Sequence, residues 1–354
     1  MPSLPSAASS VLAEVSRSGH VESWHAGAVA VWHEQQPLLE WGDTAAPVFC
    51  RSAVKPLQAL PLLERGLAAK FGLQAPQLAV LCASHDGTQA HVDAVREFLR
   101  RAGIDEQRLG CGPHAPFDPA ARRAMLAAGQ QPERVHNNCS GKHTGFLCLA
   151  RELGDPLEDY LEPGCRSQTE VQAAVGAMCG VEPPIEVGVD GCGAPTFRLP
   201  LRALARAFSQ LANPDGHSPV RRAACQQILQ AAAEQPVLVA GERRLCTALL
   251  RSLPGRVFPK NGAEGVYAVA LAPDPDRRLC PGAVGVAIKV HDGAERGYQA
   301  VAVELLRALG CWSGQVPPSL AAFHQPPVNN TRGVQVGEVR CVVDWAGQLQ
   351  GERS

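Results

Sequence analysis

The 354-residue sequence lacks an excess of charge of either sign: 33 Lys and Arg stand against 34 Asp and Glu, leaving a formal net charge of -1. With no basic surplus to attract phosphate backbones or acidic headgroups, nucleic-acid and membrane-surface binding have no support. Long apolar runs are missing too. The longest, such as Ala26–Trp32 and Val266–Ala272, fall far short of the roughly 20 residues that cross a bilayer. No Gly-x-Gly-x-x-Gly follows a strand pattern and no phosphate-binding loop signature occurs, so a nucleotide cofactor is unsupported. Among 13 cysteines none stands in Cys-x-x-Cys spacing, which argues against a zinc ribbon or a thioredoxin-like redox site. Met1–Ser6 has no basic segment followed by an apolar run. The expectation is therefore no signal peptide, a cytoplasmic location, and reduced thiols that are mostly buried as small hydrophobes.

What is present is a chain of ordinary globular composition, 45% hydrophobic and 19% charged, long enough to bury a substantial core in one domain or two. No internal repeat is found. Gly27–Trp32 reads as an early buried strand, and residues 52–66 as a helix that Pro61 distorts or ends early. Leu78–Ala83 reads as a short central strand closed by the polar turn Ser84-His85-Asp86-Gly87. In His91–Ala102, Val92, Val95, Phe98 and Leu99 share one helical face. Helical periodicity also marks Ser140–Leu153, Ser167–Met178, Leu201–Leu211 and Val220–Glu234, with a strand at Ile185–Val189. Val266–Leu271 and Ala283–Val290 read as antiparallel neighbours joined by the loop Pro273–Gly282. A helix from about Tyr298 to Leu309 and an edge strand at Glu338–Val343 complete the pattern. Strands at both ends with helices between them predict an α+β fold whose mainly antiparallel sheet is built from both termini.

Five polar clusters fall at element ends, where binding residues collect. In Arg51-Ser52-Ala53-Val54-Lys55, positions three apart meet on one helical face, so a neutral Lys55 can take the Ser52 proton. The same serine can be a plain N-cap. Ala83-Ser84-His85-Asp86-Gly87 suits a binding loop or a turn that starts a helix, and Asp190-Gly191-Cys192-Gly193-Ala194-Pro195 a site or a tight turn. Lys260-Asn261-Gly262, placed just before a strand, is a chemical triplet or a solvated lysine beside a turn. His136-Asn137-Asn138-Cys139-Ser140-Gly141-Lys142-His143 is harder to explain away, because so many buried polar groups without partners would be costly.

Ser-x-x-Lys on a helix, a second polar loop motif and Lys-x-Gly on a strand together resemble the serine β-lactamases and penicillin-binding proteins. In their order, the five motifs resemble more narrowly the rhizobial-type L-asparaginases, over about Gly19 to Gly310. That resemblance implies one asparaginase domain over residues 1–354, with a core of about 19–310 and a C-terminal extension at 311–354. It implies two serine–lysine tandems, Ser52 with Lys55 and Ser84 with Lys260. It also implies a zinc ion beside the substrate on Cys139, Lys142 and Cys192, with Asp190 and His143 close by, and a homodimer. One departure stands out: after Ser84-His85 the family commonly has a small or polar residue and Gly-Glu-Pro, whereas this chain has Asp86-Gly87-Thr88-Gln89.

The implied reaction is hydrolysis of L-asparagine to L-aspartate and ammonia. Ser52 is expected as nucleophile, its alkoxide favoured at a helix N-terminus. Lys55 is the expected base, which requires its amine to fall well below the reference pKa of ~10.4, helped by burial or by Lys260 as a cationic neighbour. Ser84 relays a proton to the leaving ammonia. Arg51 suits the substrate carboxylate with its planar fork and Asp190 the ammonium, with His143 and Asn138 as further substrate contacts. Lysine is a poor zinc ligand until it loses its proton. Two other readings stay open: a β-lactamase-like or peptidase acyl-serine hydrolase, and a non-enzymatic zinc or thiol protein.

Overall fold

The structure, a computed structural model, describes residues 10–277 and 279–351. The Met1–Ser6 segment lies outside them, as does one residue of the Pro273–Gly282 loop. The chain divides into two compact units: Met1–Ala53, Leu199–Asn213 and Ser252–Ser354 form the first, Val54–Arg198 and Pro214–Arg251 the second.

The strands are β1 (Val11–Arg17), β2 (His20–His33), β3 (Gln36–Trp41), β4 (Pro47–Phe49), β5 (Glu186–Val189), β6 (Pro195–Pro200), β7 (Val257–Gly262), β8 (Val266–Leu271), β9 (Val284–Val290), β10 (Pro327–Asn329) and β11 (Gln335–Cys341). The first unit is built on an antiparallel sheet in the order β10-β11-β1-β2-β9-β8-β7, with β3 also paired to β2. Local hairpins supply most of the pairs. The turn joining β1 to β2 has positive φ at Ser18 (49°) and Gly19 (83°), the two-residue geometry whose twist matches the strands. Two long-range pairings, β2 with β9 and β1 with β11, then draw both ends of the chain into one sheet. The mixed helix-and-antiparallel-sheet expectation holds. Two details differ. β11, expected as an edge, lies between β10 and β1, and Lys260, expected just before a strand, lies within β7.

Every residue of β8 is buried, so both faces of the sheet are covered there. Residues sharing a face with Ala270 and its partner Gly285 meet the helix Leu201–Ala212. A Cβ on Gly285 would lie 1.9 Å from the Ala205 carbonyl oxygen, and Phe208 meets Phe258 from the same helix. The opposite face carries Tyr267, which stacks on Tyr298 of the helix Glu295–Ala308 at 4.9 Å. Lys260 is paired with Ala268 and Phe258 with Ala270, so Lys260 shares the face of the Leu201–Ala212 helix.

The second unit is mainly helical. Leu78–Ala83, expected as a strand, instead forms the end of the helix Ala75–Leu81 and the turn after it: Gln74 and Gln77 form a capping box and Pro76 occupies the first turn. A short wholly apolar run does not distinguish a buried helix from a buried strand, which is why the pattern misled. The segment expected as one helix from 52 to 66 is broken into a 3-10 turn, Arg51–Val54, and the helices Lys55–Gln58 and Leu60–Glu64. Prolines at 56 and 61 each open a new helix, as their missing N–H permits. Gln89–Ala102, Ser140–Leu153, Arg166–Cys179 and Pro219–Glu234 match their periodicity closely. Ser140–Leu153 packs against Ala75–Leu81 through two glycines: a Cβ on Gly141 would fall 2.1 Å from the Val80 oxygen, and one on Gly145 2.3 Å from Leu81 Cδ1. No helix among the described residues is long and apolar enough to cross a membrane, and all 13 cysteines are free thiols.

Gly285→Ala should destabilise the protein by about 2 kcal/mol or more, because the added methyl meets helix backbone that has no rotamer to yield. Urea denaturation midpoints of the variant and the wild type measure this.

Candidate active site

In the first unit, Arg51 takes a left-handed backbone conformation (φ 48°), unusual for a residue other than glycine and outside any hairpin turn. It opens the 3-10 turn that carries Ser52, closed by the Ala53 N–H donating to the Cys50 carbonyl at 3.0 Å. The helix that follows takes Val54 as its cap residue and has no side-chain cap, so Ser52 is not its N-cap. Gly262 of β7 passes tight against this turn, where a Cβ would lie 2.8 Å from the Cys50 oxygen and 2.9 Å from the Ala53 nitrogen. Lys260, two residues earlier, is wholly buried and donates to the Asn261 carbonyl at 2.9 Å and to Asn261 Oδ1 at 3.0 Å. The sequence-expected Ser52 and Lys260 segments thus meet through Gly262.

In the second unit, Lys55 is 1% exposed. Its Nζ lies 2.6 Å from the Ala83 oxygen, 3.1 Å from Ser84 Oγ and 3.4 Å from the Asn138 oxygen. Asn138 therefore contributes its carbonyl to Lys55. The carbonyls only accept, whereas the hydroxyl can either accept or donate. A neutral amine can give two N–H bonds to the carbonyls and receive the Ser84 proton on its lone pair, and an ammonium can donate to all three. A hydrogen-bond environment that serves both forms is what proton transfer between nitrogen and hydroxyl requires.

The loop after Ser84 follows the C-terminus of the Ala75–Leu81 helix, not a strand. The Gly87 N–H donates to His85 Nδ1 at 3.2 Å, so the ring proton sits on Nε2 and is donated to Ser140 Oγ at 2.9 Å. The Ser140 hydroxyl then donates to the Val135 carbonyl at 2.9 Å. His85 stacks on His91 at 5.0 Å. The Thr88 N–H donates to His91 Nδ1 at 3.3 Å, and His91 Nε2 donates to the Val237 carbonyl at 3.1 Å. Burial pushes both imidazoles below their ordinary pKa, His85 far below, where His91 and Lys55 add to the effect. Asp86 is held by Arg244 at 2.7 Å.

A third group gathers around the Ser140–Leu153 N-terminus. The thiols of Cys139 and Cys192 and a carboxylate oxygen of Asp190 lie within 4.8 Å of one another. Lys142 Nζ donates to Cys192 Sγ at 3.3 Å. A hydrogen bond from Cys192 holds the Cys139 thiol well below the usual range against the effect of burial, with Lys55 and Lys142 adding to it. Burial opposes the charge on Lys142, but Cys192, Cys139 and Asp190 outweigh it and leave the amine above its ordinary value. Asn137 fixes the turn: its Oδ1 accepts from the Cys139 N–H at 3.0 Å and its Nδ2 donates to the Cys111 carbonyl at 2.8 Å. His143 is wholly buried. Tyr160 OH accepts from the Gly110 N–H at 2.7 Å and shares a hydrogen bond with His143 Nδ1 at 2.6 Å, while His143 Nε2 is a buried atom with no protein partner among the described residues.

Of the sequence-expected residues, Arg51, Ser52 and Lys260 belong to the first unit. Lys55, Ser84, Asn138, Cys139, Lys142, His143, Asp190 and Cys192 belong to the second. Sequence reasoning missed Tyr160, Ser140 as the partner of His85, and Arg244. Tyr160 sits in a loop without periodicity and Arg244 in a charged turn, so neither carried a signal.

Imidazoles kept neutral in the fold while the unfolded chain takes up protons make stability depend on pH. The contribution of His85 and His91 is fully present above their unfolded pKa of about 6.5 and falls as pH drops below it, by up to about 1.4 kcal/mol per pH unit for each ring. Denaturation midpoints between pH 7.5 and 5 should decline for the wild type, and less steeply for His91→Gln.

A family profile described as L-asparaginase II matches residues 13–341, a span that takes in both units. No curated protein matches the chain. The match covers the Ser52 turn, the Lys55–Ser84 pair, the Cys139–Asp190–Cys192 group and the Lys260 strand together. The chain belongs to the L-asparaginase II family, and is an amidohydrolase acting on asparagine.

Proposed function

We propose that this protein hydrolyses L-asparagine to L-aspartate and ammonia by a serine–lysine mechanism. The observation that carries it is the buried Lys55 amine, 3.1 Å from the Ser84 hydroxyl and hydrogen-bonded in a way that suits either protonation state. Ser52 Oγ attacks the side-chain carboxamide carbon, and Lys55 takes the hydroxyl proton as that bond forms. The tetrahedral intermediate collapses with cleavage of the C–N bond, and the nitrogen leaves as ammonia after receiving a proton relayed through Ser84, with Lys260 as that serine's cationic partner. Water then attacks the aspartyl ester, giving L-aspartate and restoring Ser52. Arg51 is assigned to the α-carboxylate, Asp190 to the α-ammonium, and His143 and Asn138 to substrate contact. The orphan Nε2 of His143 supports its part, since a buried polar atom without a partner needs one.

The antiparallel sheet drawn from both chain ends, with the helical segment between, supports a serine β-lactamase-like fold and one catalytic domain. Free thiols throughout support a reducing, cytoplasmic setting, and the family resemblance supports a homodimer.

Zinc is proposed as an accessory ion. Two thiols and a carboxylate within 4.8 Å form a donor set that suits it, and Lys142 joins them only after giving up the proton it shares with Cys192. Cys139, Cys192 and Lys142 would hold the ion, with Asp190 beside them. When bound there it would supply positive charge that orients the substrate.

Ammonia release from asparagine should greatly exceed that from glutamine, and Ser52→Ala or Lys55→Met should lower kcat by about 10³-fold or more. Normal turnover by Ser52→Ala would remove that serine as nucleophile. Zinc titration of the apoprotein should show one tight site, lost in Cys139→Ser and Cys192→Ser. Equal binding by those variants would place the metal elsewhere.

A further inference from the structure

After Ser84-His85 this chain departs from the common family pattern at Thr88 and Gln89, and Asp86 fills the position where a small or polar residue is common. Its side chain is 8% exposed, and a carboxylate so buried needs a charged or strongly hydrogen-bonding partner. Arg244 supplies one, with Nε at 2.8 Å and Nη2 at 2.7 Å from Asp86 Oδ1. The guanidinium also lies over the Phe117 ring at 5.9 Å, within cation–π range. The contact is built into the backbone on both sides. A Cβ on Gly241 would lie 2.1 Å from Asp86 Oδ2, so only glycine leaves room for the carboxylate there. Two residues earlier in that segment, the Val239 carbonyl accepts from the Ser84 N–H at 3.2 Å. Thr247 Oγ1 donates to the Gly241 carbonyl at 2.6 Å, which anchors the segment in turn. On the far side the Asp118 N–H donates to the Asp86 carbonyl at 3.1 Å, and Arg243 pairs with the Asp118 side chain at 3.2 Å.

We propose that the Asp86–Arg244 ion pair is a positioning brace for Ser84, which keeps the serine hydroxyl at the Lys55 amine. The inference rests on the assignment of Ser84 to catalysis. His85, between the serine and the aspartate, is tied at both ring nitrogens, so the chain leaves Ser84 along a path fixed two residues deep. Arg244 neither accepts nor delivers a proton in the reaction. Its effect passes through the distance between two atoms, and misplacement of a reacting group by about 1 Å can cost on the order of a hundredfold in rate.

The test compares asparagine turnover by Arg244→Ala, Arg244→Lys and Asp86→Asn, each in the wild-type and the Ser84→Ala background. Arg244→Ala should lower kcat by about tenfold or more while KM shifts less than about threefold, with partial recovery in Arg244→Lys. Millimolar guanidinium should restore part of the rate of Arg244→Ala, which a general loss of stability would not allow. In the Ser84→Ala background the arginine substitution should cost little more, since the group it positions is gone. An unchanged kcat in Arg244→Ala, or the same fractional loss with and without Ser84, overturns the brace. If Ser84→Ala itself keeps wild-type turnover, the catalytic assignment of Ser84 has failed instead. The brace is then judged by amide hydrogen exchange at Ser84–Gly87, which should quicken in Arg244→Ala and overturns it if unchanged. Should Arg244→Ala fail to fold, Arg244→Lys and Asp86→Asn carry the same comparisons.

Discussion

A lysine amine buried to 1% exposure cannot be left without hydrogen-bond partners, and satisfying Lys55 ties together much of the second unit. Its contacts come from the Ala83–Ser84 corner and from Asn138, segments far apart in sequence. The His85 N–H bonds to the same Asn138 carbonyl at 3.3 Å, so the serine loop and the cysteine turn are fastened to each other at the point where they serve the lysine. Loss of any one partner would leave a buried polar group unpaired, at a cost of about 1–3 kcal/mol. Chemistry and stability are in this respect the same set of contacts.

Those contacts depend on backbones passing closer than side chains allow. Gly141 and Gly145 let the helix that carries Lys142 and His143 lie directly on the helix that leads to Ser84. Gly262 does the same for the Lys260 strand and the Ser52 turn, and Gly241 makes room for the Asp86 carboxylate. In each case the residue next to the chemistry has no side chain, and its neighbour approaches within a distance that a methyl group would occupy. The polar groups sit where they do because the glycines set the spacing.

Much of this was legible in the sequence, and the failures have physical causes. Long amphipathic helices such as Gln89–Ala102 were placed to within a residue or two because burial of one face leaves a periodic trace. The five polar clusters were legible because each breaks an otherwise apolar pattern at an element end. Leu78–Ala83 misled, since a helix buried all round has no polar face to mark its period. β10 and β11 lie in a Pro- and Gly-rich tail, and besides β10 the partner of β11 is β1, more than 300 residues away, which no local window can sense. The pairing of Lys55 with Ser84 was hidden in the same way. Ser52 is near Lys55 in sequence, and only the fold brings Ser84 to the same amine.

The pairing of β1 with β11 has a consequence for how the chain comes into being. Strand β1 leaves the ribosome more than 300 residues ahead of the neighbour on one of its edges, Val339–Cys341. On its other edge β2 must wait for β9 as well. Until those strands arrive, the β1–β2 and β2–β3 hairpins expose unpaired N–H and C=O groups of the kind that recruit strands from other chains. Residues 54–198, a continuous stretch that makes up most of the second unit, are complete long before that. The order in which the ribosome delivers the chain and the order in which the sheet closes are thus opposed, and Val339–Cys341 cover an edge of β1 that has long been exposed.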